Sequence, residues 1–132
     1  MRQIRDALIQ QPLIKRIALN KHINPHNHVI GGWVLGEMDY ACGILGETVT
    51  KGPIATVAIT EVKFLAPLLA GDFITVYCTD FRIGKTSLTI DLEVRGEKPA
   101  QNRKVLAVTG TFVMVAIDEH GTPRQIDTSS LS

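Results

Sequence analysis

Residues 24–46 read NPHNHVIGGWVLGEMDYACGILG, an Asn- and His-rich loop running into an apolar stretch that carries five glycines and a single aspartate. From Gly31 to about Val49, Trp33, Val34, Leu35, Met38, Tyr40, Ala41, Cys42, Ile44 and Leu45 predict a helix that is apolar nearly all round. A helix of that kind is expected to be surrounded by other structure. Each glycine in a helix interior costs roughly 1 kcal/mol against alanine, so several of them need a physical reason. Stepping about 100° per residue from Gly32 places Gly36, Asp39, Gly43 and Gly46 within about 40° of one line. The seam has four members without a side chain and one acid. A bare stripe admits a second backbone or a long thin ligand. The plain alternative is close packing alone, against a sheet or a dimer partner. The aspartate tilts the balance, because buried carboxylates are rare unless paired or functional. An acid at the centre of such a stripe suits a water-activating base or a nucleophile.

The flanks of this helix carry further signals. Glu37 falls on nearly the opposite side from Asp39, so the two acids form no catalytic pair; Glu37 reads as a structural acid with a neutralising partner, and Glu47 as solvated. At the helix start, Gly31, Gly32 and Trp33 present backbone N–H groups and the positive end of the helix dipole, suited to polarising an ester-type carbonyl. That helix start lies ~10 Å from Asp39 at 1.5 Å per residue, and a single subunit need not complete the site.

Around the helix the chain reads as strands. Leu13–Leu19 is a candidate short first strand, followed by a loop over 20–30. Ile54–Val62, Phe73–Phe81, Thr86–Arg95 and Val105–Ile117 then follow in succession. In the third of these Leu88, Ile90, Leu92 and Val94 alternate with polar residues, the pattern of an antiparallel strand with one wet face. Gly110 marks a bulge or a close approach. IGKT joins two strands as a tight hairpin, DEHGTP ends the last, and RGEKPAQNRK reads as a charged loop before it. The class is α+β: one antiparallel sheet wrapped around one long central helix, the hot-dog arrangement.

The 132 residues fit one domain, assigned to 8–125, with residues 1–7 and 126–132 as flexible tails. Residues 1–11 read as polar and irregular. Fourteen Lys and Arg against 13 acids give a formal charge of +1, no argument for nucleic acid or a membrane surface. No apolar run is long enough to span a bilayer. Cys42 and Cys78 sit in apolar segments and read as buried free thiols in a reducing compartment, so a cytoplasmic location is expected.

NPHNHVIGGWVLGEMD resembles the signature of the hot-dog acyl-CoA thioesterases, in particular the short bacterial acyl-CoA thioester hydrolases. VKFLAPLLAGD, IGKTSLTIDLEV and FVMVAIDEHGTPR follow in that family's order, so the likeness spans roughly residues 10–125. The resemblance implies hydrolysis of acyl-CoA to free acid and CoA, with Asp39 as general base or nucleophile and no cofactor. It implies that Asn24 is supplied by a neighbouring subunit. The backbone at Gly31, Gly32 and Trp33 would hold the thioester oxygen. Gly84, Lys85, Thr86 and Ser87 would contact the CoA end of the substrate. A homodimer with the active site at its interface is implied, possibly assembled as a trimer of dimers. The chain departs from the pattern at Asn27, where glycine is usual, at His28 and Ile30, and at Ala66, where a basic residue precedes the proline. Lys63 or the Arg95–Lys104 loop are the candidate replacements for that cation.

Other features carry less. His22, His26 and His28 lack the frame of a metal site, though His26 or His28 could line a substrate mouth. Trp33 and Tyr40 read as core. Cys42 has no evident base and reads as core too. The GKT at 84–86 lacks the glycine and helix of a phosphate loop. Two rival readings remain: an acyl-thioester hydratase or dehydratase using a loop histidine, and a non-catalytic acyl-CoA sensor.

Overall fold

A computed structural model describes residues 2–128; the end of the expected C-terminal tail, 129–132, lies outside the described residues. The elements are α1 (Arg2–Gln10), β1 (Ile14–Ile17), α2 (Gly31–Thr50), β2 (Ile54–Phe64), β3 (Phe73–Ile83), β4 (Ser87–Lys98) and β5 (Arg103–Ala116). The strands form one antiparallel sheet in the order β1-β3-β4-β5-β2. This is the hot-dog fold: the sheet curls along one side of α2.

The alternation in β4 does what it predicts. Leu88, Ile90, Leu92 and Val94 are buried and meet Phe81 of β3 and Phe112 of β5 in one core with Met38, Ala41, Cys42, Leu45 and Val49 of α2. Curvature comes from bulges: β2 carries extra residues at Val57 and at Glu61–Val62, and β3 at Thr79. Gly110 lies opposite the second β2 bulge, and a side chain there would stand 3.2 Å from the Met38 Cε. Bulge and close approach coincide at that glycine.

Three expectations are corrected. Residues 2–10 are helical, not irregular: Ile4, Leu8 and Ile9 pack on the core, and the Arg5 guanidinium donates to the Asp80 carboxylate and the Phe81 carbonyl while lying over the Phe81 ring. So short a helix gains its stability from those tertiary contacts. RGEKPAQNRK is mostly strand; β4 and β5 continue through it to a single 3₁₀ turn at Pro99–Gln101, closed by Asn102 at φ +50°. The third correction concerns α2, which is not surrounded. Gly32, Gly36, Asp39, Tyr40, Ile44 and Glu47 are exposed, because the sheet ends at the edge strand β2 and covers only one side of the helix. Tyr40, read as core, is 67% exposed.

Glu37 finds its partner in Arg16 of β1, whose Nε donates to Oε2 at 3.0 Å. The far end of α2 is tied by Arg124, which donates to the carbonyls of Thr50, Pro53 and Ile117 and to the Thr50 hydroxyl, satisfying acceptors that a helix end leaves unpaired. Ile126, placed in the expected tail, is buried and donates its N–H to the Lys85 carbonyl. Among the described residues no helix is long and apolar enough to cross a membrane.

The glycine seam divides in two. A Cβ on Gly46 would stand 2.0 Å from the Ile54 Cδ1, whereas Gly32, Gly36 and Gly43 have nothing within 4 Å. Gly46 is a packing glycine within the chain; the other three are not. Gly46→Val should therefore lower stability by about 1–3 kcal/mol through overpacking, read as a lower urea midpoint at unchanged slope.

Candidate active site

Asp39 stands on the open face of α2, between Gly36 and Gly43. Its carboxylate is exposed in the single chain, contrary to the expectation of burial. Thr56 of β2 donates its hydroxyl to Asp39 Oδ1 at 2.5 Å. Thr56 immediately precedes the Val57 bulge, and a bulge bends the strand and re-aims its side chains. The second carboxylate oxygen accepts no hydrogen bond among the described residues. Nothing in the run IATVAITEV distinguishes this threonine from its β-branched neighbours, so sequence reading missed it.

A cleft of about 390 Å³ opens at the N-terminal end of α2, walled by Asn24, His28, Gly31, Phe64, Ala66 and Val108 among others. Asn24 organises its loop: Oδ1 accepts the N–H groups of His26 at 2.9 Å and His28 at 3.1 Å, and its own N–H donates to the His28 carbonyl. Asn27 takes φ +67°, the left-handed conformation that the glycine of the signature would supply. Val29 donates to the Leu68 carbonyl and Ile30 to the His22 carbonyl, fixing the approach to α2. Phe64, also missed, has its ring edge 3.2 Å from where a Gly31 side chain would begin. A side chain at 31 would press on that ring.

Of the three expected carbonyl-binding donors, Trp33 N–H is already bonded to the Ile30 carbonyl at 3.1 Å. Gly31 and Gly32 N–H have no acceptor among the described residues. The Trp33 ring stacks on His22 at 4.1 Å between centroids, 14° between planes, which gives His22 a packing partner. His28 lines the cleft and His26 does not. Among the described residues no group of three or more His, Cys, Asp or Glu side chains is disposed to hold a metal.

One chain does not bring the expected residues together. Asn24 and Gly31 share the cleft; Asp39 lies outside it, ~12 Å along the helix from Gly31. The Gly84–Ser87 hairpin lies further off. Ser87 pairs with Val115, while Phe64 beside Gly31 pairs with Val108, a separation of ~23 Å along β5. The hairpin itself is tight, with Gly84 N–H donating to the Ser87 carbonyl at 2.8 Å and Lys85 exposed.

The sequence profile of the thioesterase superfamily matches residues 26–102, and the chain belongs to that superfamily. Among its relatives, the acyl-CoA thioester hydrolase YciA of Escherichia coli (strain K12) is 29% identical over 117 residues, covering 86% of this chain and 89% of its own. An uncharacterized acyl-CoA thioester hydrolase of Zymomonas mobilis is 31% identical over 88% of this chain and 78% of its own. A hexameric thioesterase from Yersinia pestis superposes with a TM-score of 0.83 at 27% identity, covering 89% of this chain and 95% of the other.

Cys42, one turn beyond Asp39, is buried, and burial together with the Asp39 charge pushes its thiol far above the usual range. Cys78 is pushed up to about 11, mainly by burial. Neither thiol is a nucleophile near neutral pH. Both should resist a thiol reagent at pH 8 in the native protein and react on unfolding. Because the folded state holds these protons while the unfolded chain releases them above about 9, stability should fall as pH rises from about 9 to 11. Urea midpoints across that window check it, with Cys78→Ser showing a shallower fall.

Proposed function

We propose that this protein hydrolyses acyl-CoA thioesters to the free carboxylic acid and CoA, with Asp39 as the catalytic carboxylate. The observation that carries the reading is a carboxylate held by Thr56 on a helix face whose glycines at 32, 36 and 43 meet nothing within 4 Å. The acyl-CoA thioester hydrolases among its relatives support it.

The chemistry needs a polarised carbonyl, an activated oxygen nucleophile and a leaving thiolate. In this reading Gly31 and Gly32 N–H, at the positive end of α2, take the thioester oxygen and the charge that develops on it. Asp39 Oδ1 is occupied by Thr56, which leaves Oδ2 to draw a proton from water or to attack the carbonyl carbon itself. As water adds, the C–S bond breaks and CoA departs as the thiolate, which takes up a proton.

Donors and acid on one helix are too far apart to serve one carbonyl, so the site is built from two copies. The open face of α2, with Tyr40 and Ile44 exposed, adjoins the unpaired edge of β2, where Val57 and Ile59 are exposed. A two-fold axis there would set Asn24, Gly31 and Gly32 of a second copy opposite Asp39. Further assembly into a trimer of dimers would follow the hexameric Yersinia pestis relative. In this reading the Gly84–Ser87 hairpin, with Lys85 exposed, contacts the CoA end, where Ala66 brings no charge. No cofactor enters the reaction, and buried free thiols suit the cytoplasm.

Thiol release from acyl-CoAs of graded chain length tests the reading. Asp39→Ala should lower kcat at least ~100-fold and Thr56→Val about tenfold, both in folded protein. Binding of acyl-CoA without thiol release by the wild type would make it a sensor, and a hydrated product would make it a hydratase. Ile44→Glu should give a monomer in sedimentation and lose turnover, since it buries a charge in the pairing face.

A further inference from the structure

The segment after β2, residues 65–72, forms a wall of the cleft and is held from behind. Asp72 is completely buried; its Oδ2 accepts the Leu69 N–H at 2.8 Å and the Arg103 Nε at 3.3 Å, and Lys98 Nζ stands 3.9 Å from Oδ1. A buried carboxylate is tolerated when opposite charge and hydrogen bonds surround it. Arg103 does more than neutralise, because its second nitrogen donates to the Pro67 carbonyl at 2.6 Å. Lys98 likewise donates to the Ala70 carbonyl at 2.9 Å. Both cations flank the β4–β5 turn and point inward, although that segment reads in sequence as a solvated charged loop. Packing closes the join: a Cβ on Gly96 would stand 2.4 Å from the Leu68 Cδ2.

From this wall the contacts run directly to the proposed catalytic loop. The Leu68 carbonyl accepts the Val29 N–H at 2.8 Å, and His28 forms a β-bridge with Leu69. His28 N–H in turn is held by Asn24 Oδ1. We infer that Arg103 is a positioning residue: by binding Asp72 and the Pro67 carbonyl together it fixes residues 67–69, and through them the Asn24–Val29 loop. The inference rests on the proposed role of Asn24, but the mechanical link does not. A planar guanidinium reaches both acceptors at once, which a lysine ammonium on a single stem does less well.

Two readouts on the full-length protein separate the link from the activity. In Arg103→Met and Arg103→Lys, amide hydrogen exchange at His26, His28 and Val29 should speed at least tenfold, less in the lysine variant, with the core amides of α2 unchanged. Unchanged loop exchange in both variants overturns the inference, whatever the enzyme does. In thiol-release assays Arg103→Met should lower kcat about tenfold with KM within twofold, and Arg103→Lys should recover part of it. In an Asn24→Ala background the Arg103→Met change should add little further loss; fully multiplicative losses overturn action through Asn24. If wild type releases no thiol from any acyl-CoA, the thioesterase reading fails alone, and the exchange result still decides the link.

Discussion

The structure depends on one asymmetric contact: α2 presses a single side into the concave face of a five-stranded sheet and leaves the other side bare. Met38, Ala41, Cys42, Leu45 and Val49 are fully buried against Phe81, Leu88, Ile90, Leu92, Val94 and Phe112. At about 25 cal/mol per Å² of apolar surface removed from water, such a seam dominates the favourable side of folding. The sheet must curve to follow it, and the bulges in β2 and β3 supply the curvature. The same bulges aim Thr56 at Asp39 and set Gly110 beneath Met38. Core packing and site geometry therefore have a common origin.

The bare side has a different physics. An exposed helix face with glycines at 32, 36 and 43 is a poor helix surface in isolation, since glycine there weakens the helix without relieving any clash. That face adjoins the unpaired edge of β2, where Val57 and Ile59 are exposed, and exposed strand edges with apolar surface are what a partner covers. In the single chain Asp39 in mid-helix and the N–H groups of Gly31 and Gly32 at the helix start stand ~12 Å apart along α2.

Charges inside this fold are placed as ties between segments distant in sequence. Arg16 reaches Glu37 from β1, Arg5 joins α1 to β3, Arg124 closes the end of α2, and Arg103 with Lys98 grips the loop around Asp72. Arginine predominates because one guanidinium can meet two or more acceptors in fixed geometry. Where the pair is buried, as at Asp72, removing one partner leaves a charge that water no longer solvates.

The sequence by itself determined the elements whose period is set locally. The alternation Leu88–Val94 specifies a strand with one buried face, and the seam Gly32–Gly36–Asp39–Gly43–Gly46 lies on one line because helical geometry puts it there. The hairpin at Gly84 was legible for the same reason, since its residue types suit the backbone it adopts. Tertiary structure alone decided which face of α2 is covered, and so that Asp39 and Tyr40 are exposed while Gly46 is packed on Ile54. It alone made a helix of residues 2–10, gave Asp39 its Thr56, spent the Trp33 amide on Ile30 and turned Lys98 and Arg103 inward. Each of these depends on contacts between residues far apart along the chain, and periodicity, a local property, carries no information about them.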